Sequence, residues 1–141
     1  MLLKTEGLTQ EQLSTALAPS SLTFGGLLNH LRLVEDTWMQ VRFLGLPDRE
    51  PWVGVDWDAD PNWEFHAAAA IHPAELRARY REACARSRLA TAGASSLDQM
   101  SAMPRRDGRD FSLRWVLFHL IEETARHADL LREAIDGLVG E

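Results

Sequence analysis

The sequence contains a single cysteine, Cys84, so this 141-residue chain cannot close an intramolecular disulfide. Its stability must come from a packed core, which a chain of this length can build. A lone thiol also fits a reducing compartment. Long apolar runs are missing as well: no stretch is long enough to cross a bilayer. The opening MLLKTEGLTQEQL lacks the basic, apolar and small-residue order of a secretion signal, so a cytoplasmic location is expected. Positive charge is in deficit, with 15 Lys and Arg against 21 Asp and Glu and a formal charge of −6. That balance argues against a nonspecific nucleic-acid or membrane-surface binder, which needs a basic stripe. The one basic cluster, Arg105, Arg106 and Arg109, is short, broken by acids, and reads as a solvated loop. Internal repeats are absent, and one domain over residues 1–141 is the simplest reading.

What the chain does have is helical spacing. MLLKTEG reads as the last turns of a helix that stops at Gly7, and Thr9 to Leu17 as a short piece capped by Thr9 with Gln12 three residues on. Pro19 to Ser21 reads as a turn. Leu22 to Leu44 forms a long helix with the stripe Leu27, Leu31, Val34, Trp38 and Val41, ended by Gly45 to Pro47. His30 borders that stripe. Pro47 to His72 is a lid-like connection carrying Trp52, Trp57 and Trp63, with one helical turn near Trp63 to Ala70.

Pro73 at a first helical position opens a helix to about Ala92, with a weaker stripe of Leu76, Tyr80, Ala83, Cys84 and Leu89. Thr91 to Asp110 is a second long connection, with Pro104, the Asp107-Gly108 turn signal and room for a short hairpin. Ser112 is the expected N-cap of a last helix running to about Ile135 and ending at Gly137. Val116, Leu120, Leu130 and Ala134 flank Glu123 and His127 on its apolar face. Trp38 and Trp115 are expected in the core, His66 at the surface, His72 at a helix start, and Cys84 half-buried and unreactive. The pieces add up to an all-α bundle of about four helices with two long crossings.

His119, Glu123 and His127 fall at four-residue steps, and His30 lies far upstream in LLNHLRLVEDTW. Residues four apart share a helix face and lie about 6 Å apart along the axis, close enough for two side chains to reach one ion. Imidazole and carboxylate are ordinary ligands of zinc, nickel or ferrous iron, so the constellation points to a metal site between helices. The competing reading is an intrahelical Glu–His pair plus an unrelated core histidine. Leu27 and Thr124 stand three residues before His30 and His127, where a di-iron bundle needs glutamates. HExxH is missing too, which excludes a zincin protease.

The segments LTFGGLLNHLRLVEDTW and FSLRWVLFHLIEETARHADLLREAIDG, with the Trp- and Asp-rich linker between them, resemble the DinB/YfiT-like superfamily of metal-binding four-helix bundles. The nearest group is the actinobacterial branch related to mycothiol-dependent maleylpyruvate isomerase. The resemblance covers nearly the whole chain and implies a DinB-like bundle. It matches His30 to the ligand on the second helix, and Glu123 and His127 to the ligand pair on the last. His119 matches a histidine that more often packs than ligates. Relatives usually begin with a full first helix, of which MLLKTEG keeps only the end. They also commonly read ARHAGHADLLRE where this chain reads ARHADLLRE. Removing less than a turn after His127 rotates the downstream residues by about 60°.

Two imidazoles and a carboxylate leave a metal position open for water or substrate. A bound water would give hydrolysis; a bound thiol would become a nucleophilic thiolate. The resemblance implies the second route. The expected activity is a zinc- or nickel-dependent (or iron-dependent) S-transferase or isomerase that joins mycothiol or bacillithiol to a small electrophile. Arg114 is the expected partner of an acidic group on thiol or substrate, the tryptophan linker the expected cover, and a homodimer the expected assembly. The alternatives are a non-catalytic protein that binds metal or a small molecule, and a scaffold that only dimerises.

Overall fold

The computed structural model describes residues 2–17 and 21–139. Within them the chain is helical, with two isolated β-bridges and no strand. The short α1 (Leu2–Thr5) and α2 (Gln10–Ser14) precede the central helix α3 (Phe24–Glu35), which runs on without a break as a π-helix over Asp36–Phe43. The linker holds a 3-10 turn at Trp52–Gly54 and α4 (Trp63–Ala67); two long helices come next, α5 (Pro73–Gly93) and α6 (Leu113–Val139). Helix α3 packs against α2, α4, α5 and α6, whereas the backbones of α5 and α6 come close at few positions. No helix among the described residues is long and apolar enough to cross a membrane.

Local sequence explains the start of each element. Thr9 and Gln12 form both bonds of a capping box around α2. Thr23 caps α3 by accepting from the Gly26 amide at 2.9 Å. A Cβ on Gly25 would lie 3.2 Å from the Leu13 carbonyl oxygen, and one on Gly26 3.3 Å from the Phe65 ring. These two glycines cost the helix about 1 kcal/mol each in propensity. In return, α2 and α4 lie directly on its first turn. Pro73 opens α5, whose first turn is capped by the His72 side chain. Ser112 caps α6 by accepting from the Trp115 amide at 3.4 Å.

The core departs from the expected stripes at three places. Leu27 and Leu31 are buried as expected, but beyond them Met39 and Phe43 are buried and Trp38 and Val41 only partly so. The cause is the π-helix: the Leu44 amide bonds the Met39 carbonyl, an i→i+5 turn that takes up an extra residue. Positions four apart then stay aligned, and the stripe becomes Leu27, Leu31, Met39, Phe43. On α5 the buried face continues through Ser87 and Ala90, leaving Leu89 72% exposed. Helix α6 runs past Gly137 to Val139, since one glycine weakens a helix without breaking it. Leu130 is 41% exposed on α6, so it is not part of the core face. The Ala134 side chain, and Pro19 and Ser20 of the expected turn, lie outside the described residues. The expected hairpin is reduced to a Met100–Ser112 bridge and a turn in which Gly108 bonds back to Arg105.

A buried polar tie fixes the linker to the bundle. Asp36 is 2% exposed and accepts from the Trp52 indole at 3.1 Å and from both Arg86 Nη2 and Nε, at 2.7 and 3.2 Å. Both carboxylate oxygens are used, as a buried charge requires. The Arg32 guanidinium covers the Trp52 ring at 4.7 Å.

Between α5 and α6 runs a groove of about 580 Å³ with Glu35 and Cys84 on its wall. The Ser87 hydroxyl donates to Glu35, and the Cys84 thiol approaches it at 3.8 Å. Burial holds the Glu35 carboxyl above its ordinary value, against those hydrogen bonds. The folded state therefore binds this proton more tightly than the unfolded chain. Its contribution to stability is complete below the unfolded value of 4.5 and is lost as pH rises through the raised folded value. Replacing Glu35 by Gln is expected to raise the melting temperature at pH 8 and to make little difference near pH 4.5. A thermal-melt series on both proteins checks this; a gap that stays constant with pH would contradict it.

Candidate metal centre

His30 leaves α3 one turn after its glycine pair, on the side where α4 and α6 meet it. Glu123 and His127 sit one turn apart on α6 and point at His30. One donor atom from each of the three lies within 4.8 Å of the others. The His30 and His127 rings meet edge to face with centroids 5.1 Å apart, and His127 Nε2 is 3.5 Å from Glu123 Oε2. All three are sheltered, their side chains 22%, 14% and 12% exposed in the order His30, Glu123, His127. Burial first, and the neighbouring His30 second, hold the His127 imidazole below its ordinary value. That favours the neutral ring, which is the ligating form. His127 Nδ1 is buried without a hydrogen-bond partner.

Glu64, from the linker, was not singled out in the sequence, yet it belongs to this site. Its side chain is 7% exposed and its Oε1 lies 3.0 Å from His30 Nδ1. A carboxylate only accepts, so His30 must donate from Nδ1 and keep a bare Nε2 for the cluster. The neighbouring Asn29 side chain donates to the Glu64 backbone carbonyl at 2.7 Å, and Phe65 stacks on the His30 ring at 4.9 Å. Two successive residues of α3 thus grip two successive residues of α4. No periodic signal marks Glu64; its only sequence cue is an acid between Trp63 and Phe65 in the tryptophan-rich linker.

The other candidates fall outside the cluster. His119 is held between Trp38, edge-on at 4.6 Å, and Trp115, stacked at 5.0 Å, with Nε2 3.9 Å from Glu123 Oε1. It packs beside the site, as the family resemblance implied. Arg114 is not brought to the cluster: its guanidinium donates twice to Asp98 on the exposed surface. Nine residues separate it from Glu123, about 13.5 Å along the helix and half a turn around it. Cys84 lies in the α5–α6 groove, where burial and the Glu35 charge hold its thiol above the ordinary value.

An all-α bundle with two histidines and a carboxylate converging from its central helix α3 and its last helix α6 is the architecture of a DinB-like protein. Within that class, the model of the mycothiol S-transferase family matches residues 1–137, and the chain belongs to that family. No curated protein and no solved structure matches it.

The Glu64 contact can be tested without any metal. Histidine-ring ¹H–¹⁵N spectra are expected to show His30 protonated on Nδ1 in the parent chain and as a tautomer mixture in Glu64→Ala. The variant is also expected to lose about 1–3 kcal/mol of stability, the cost of an unpaired buried donor. An unchanged His30 spectrum would mean that something other than Glu64 sets the tautomer.

Proposed function

We propose that this chain is a divalent-metal-dependent transferase that joins a low-molecular-weight thiol, mycothiol or bacillithiol, to a small electrophile. His30, Glu123 and His127 serve as the ligands, with zinc or nickel favoured over iron. The carrying observation is the convergence of these three side chains from two helices in a chain of the mycothiol S-transferase family. The donor set fits a divalent ion: two neutral nitrogens and one carboxylate, with a fourth position left for a ligand. The Glu64–His30 bond is the kind of second layer that orients a ligating imidazole; His127 Nδ1 has no such partner among the described residues.

A cation bound there would lower the pKa of an incoming thiol, so that it reacts as thiolate at neutral pH. The chain's own side chains do the rest. His30 is locked as the Nδ1–H tautomer by Glu64. His127 is kept neutral by burial. Phe65 stacks on His30, and Trp38 and Trp115 enclose His119 beside the cluster. In transfer, the thiol proton leaves to solvent, the sulfur lone pair forms a C–S bond, and the electrophile's leaving group departs with its bonding pair. An electrophile without a leaving group takes the sulfur by addition, the first half of an isomerisation. A homodimer and a cytoplasmic setting complete the proposal. Phe118 and Ile121, both 63% exposed on α6, supply an apolar face for the first, and a single free thiol agrees with the second.

A non-catalytic metal-binding protein is the alternative, and one pair of measurements separates the two. Untagged protein dialysed against metal-free buffer is expected to retain about one equivalent of zinc, nickel or iron, which Glu123→Ala and His127→Ala should lose. The loaded parent is expected to consume mycothiol or bacillithiol in the presence of electrophiles, and both variants to fall to the background rate. Metal without turnover would favour the alternative. Metal retained by both variants would overturn the ligand assignment.

A further inference from the structure

A recess of about 400 Å³ opens beside the cluster, between the π-helical end of α3 and the tryptophan linker. It is large enough for one or two sugar-sized rings. None of its lining residues belongs to the cluster, but two of them lie next to it. Val34 lies one turn beyond His30 on the same face of α3, and Trp38 touches His119, whose Nε2 reaches within 3.9 Å of Glu123.

The recess is built rather than incidental. Trp52 is 3% exposed and anchored through Asp36, and Trp63 meets both Trp52 and Trp57 edge to face at 6.1 and 6.5 Å. The opposite rim is strapped down as well. The Ala102 and Met103 amides bond the Phe43 and Arg42 carbonyls at 2.9 and 3.0 Å, and Arg42 Nη1 donates to the Pro104 carbonyl at 3.1 Å.

Two charged heads on this rim are free. Among the described residues, neither Asp48 nor Arg106 makes an ion pair or a side-chain hydrogen bond. One free acceptor and one free donor beside indole surfaces suit a neutral ring bearing several hydroxyls. A simple anion would meet Asp48, a simple cation would meet Arg106, and an apolar electrophile would leave both without a partner. Ring C–H faces lie well on aromatic surfaces, while hydroxyls take up the carboxylate and guanidinium.

We propose that the recess formed by Trp38, Trp52, Trp57, Asp48 and Arg106 binds the carbohydrate part of a glycosylated thiol and leaves its sulfur to reach the His30–Glu123–His127 cluster. This rests on the thiol-transfer reading above and deepens it, because mycothiol carries its cysteine on a glucosamine–inositol pair. It would also explain why the linker concentrates tryptophan: the residues that cover the cluster are the ones that select the thiol.

The test uses the full chain as purified and glucosaminyl-inositol, the sugar without its thiol. Indole ¹H–¹⁵N signals, assigned by substitution, are expected to shift saturably for Trp38 and Trp57. The affinity, measured by calorimetry, is expected to fall at least ~10-fold in Trp57→Ala and in Arg106→Ala, and to hold in Trp57→Phe. No saturable shift, or equal affinity in all variants, overturns the subsite. The two readings can fail separately. Sugar binding without any mycothiol turnover by loaded protein keeps the subsite and removes thiol transfer. Turnover whose KM for mycothiol is unmoved by Trp57→Ala and Arg106→Ala keeps thiol transfer and removes the subsite.

Discussion

A histidine buried next to a carboxylate on an apolar bundle face is stable only if its ring nitrogens are held by fixed partners. That requirement organises this chain. The His30–Glu64 bond meets it on one side and sets where α4 must lie. Gly25 and Gly26 in α3, Asn29 gripping the Glu64 backbone, and Phe65 stacked on His30 all serve the same close approach. The other face of His30 looks toward α6, and there the polar atoms are left less satisfied. Glu64 Oε2 and His127 Nδ1 are both buried without a partner. Each such orphan costs about 1–3 kcal/mol. Two of the four such atoms among the described residues lie around this three-residue cluster; the other two, Arg32 Nε and Gln40 Nε2, lie elsewhere.

How much of this was legible in the sequence depended on the range of the signal. The capping box at Thr9 and Gln12 lies within one turn and was read directly. The Glu123–His127 pair was legible because helical geometry alone places side chains four apart on one face. His30 was placed by its border position on a strong stripe and by the family resemblance. Met39 and Phe43 were not legible as core, because a π-helical turn changes the period and hydrophobic counting assumes the ordinary one. Glu64 was hidden for a different reason. Its partner lies 34 residues away, its own element is a five-residue helix, and nothing periodic surrounds it. Leu89 misled because a large apolar residue outweighs Ser87 in any stripe count, although Ser87 is the one bonded inward to Glu35.

The tryptophans show how one composition serves two purposes. Trp38, Phe111 and Trp115 form an aromatic wedge between the π-helix and the start of α6, with rings 5.2–5.6 Å apart. The wedge makes up part of the contact through which α6 is held against α3 and its π-helical extension. It also encloses His119, and so fixes the approach of Glu123 to His30 from the side. The linker tryptophans instead form a fixed wall against solvent. A residue type that sequence composition alone could only assign to core or cover is thus divided by position: Trp38 and Trp115 join helices, while buried Trp52 anchors the partly buried Trp57 and Trp63 over the linker side.

The chain's own thiol and the candidate ligand His127 are tuned in opposite directions, and under the proposed function the two shifts belong together. Burial and the Glu35 charge raise the Cys84 pKa, so at neutral pH it carries even less thiolate than an ordinary cysteine and is a poor nucleophile. Burial and His30 lower the His127 pKa, so its lone pair is available at neutral pH. A protein that activates an external thiol gains nothing from a competing internal one, which would consume the same electrophile and inactivate the fold. Keeping Cys84 protonated in the α5–α6 groove, away from the cluster on the other flank of α6, separates the two sulfur chemistries by position as well as by acidity. The same low-dielectric interior drives both shifts: it disfavours whichever form is charged, a thiolate at Cys84 and an imidazolium at His127.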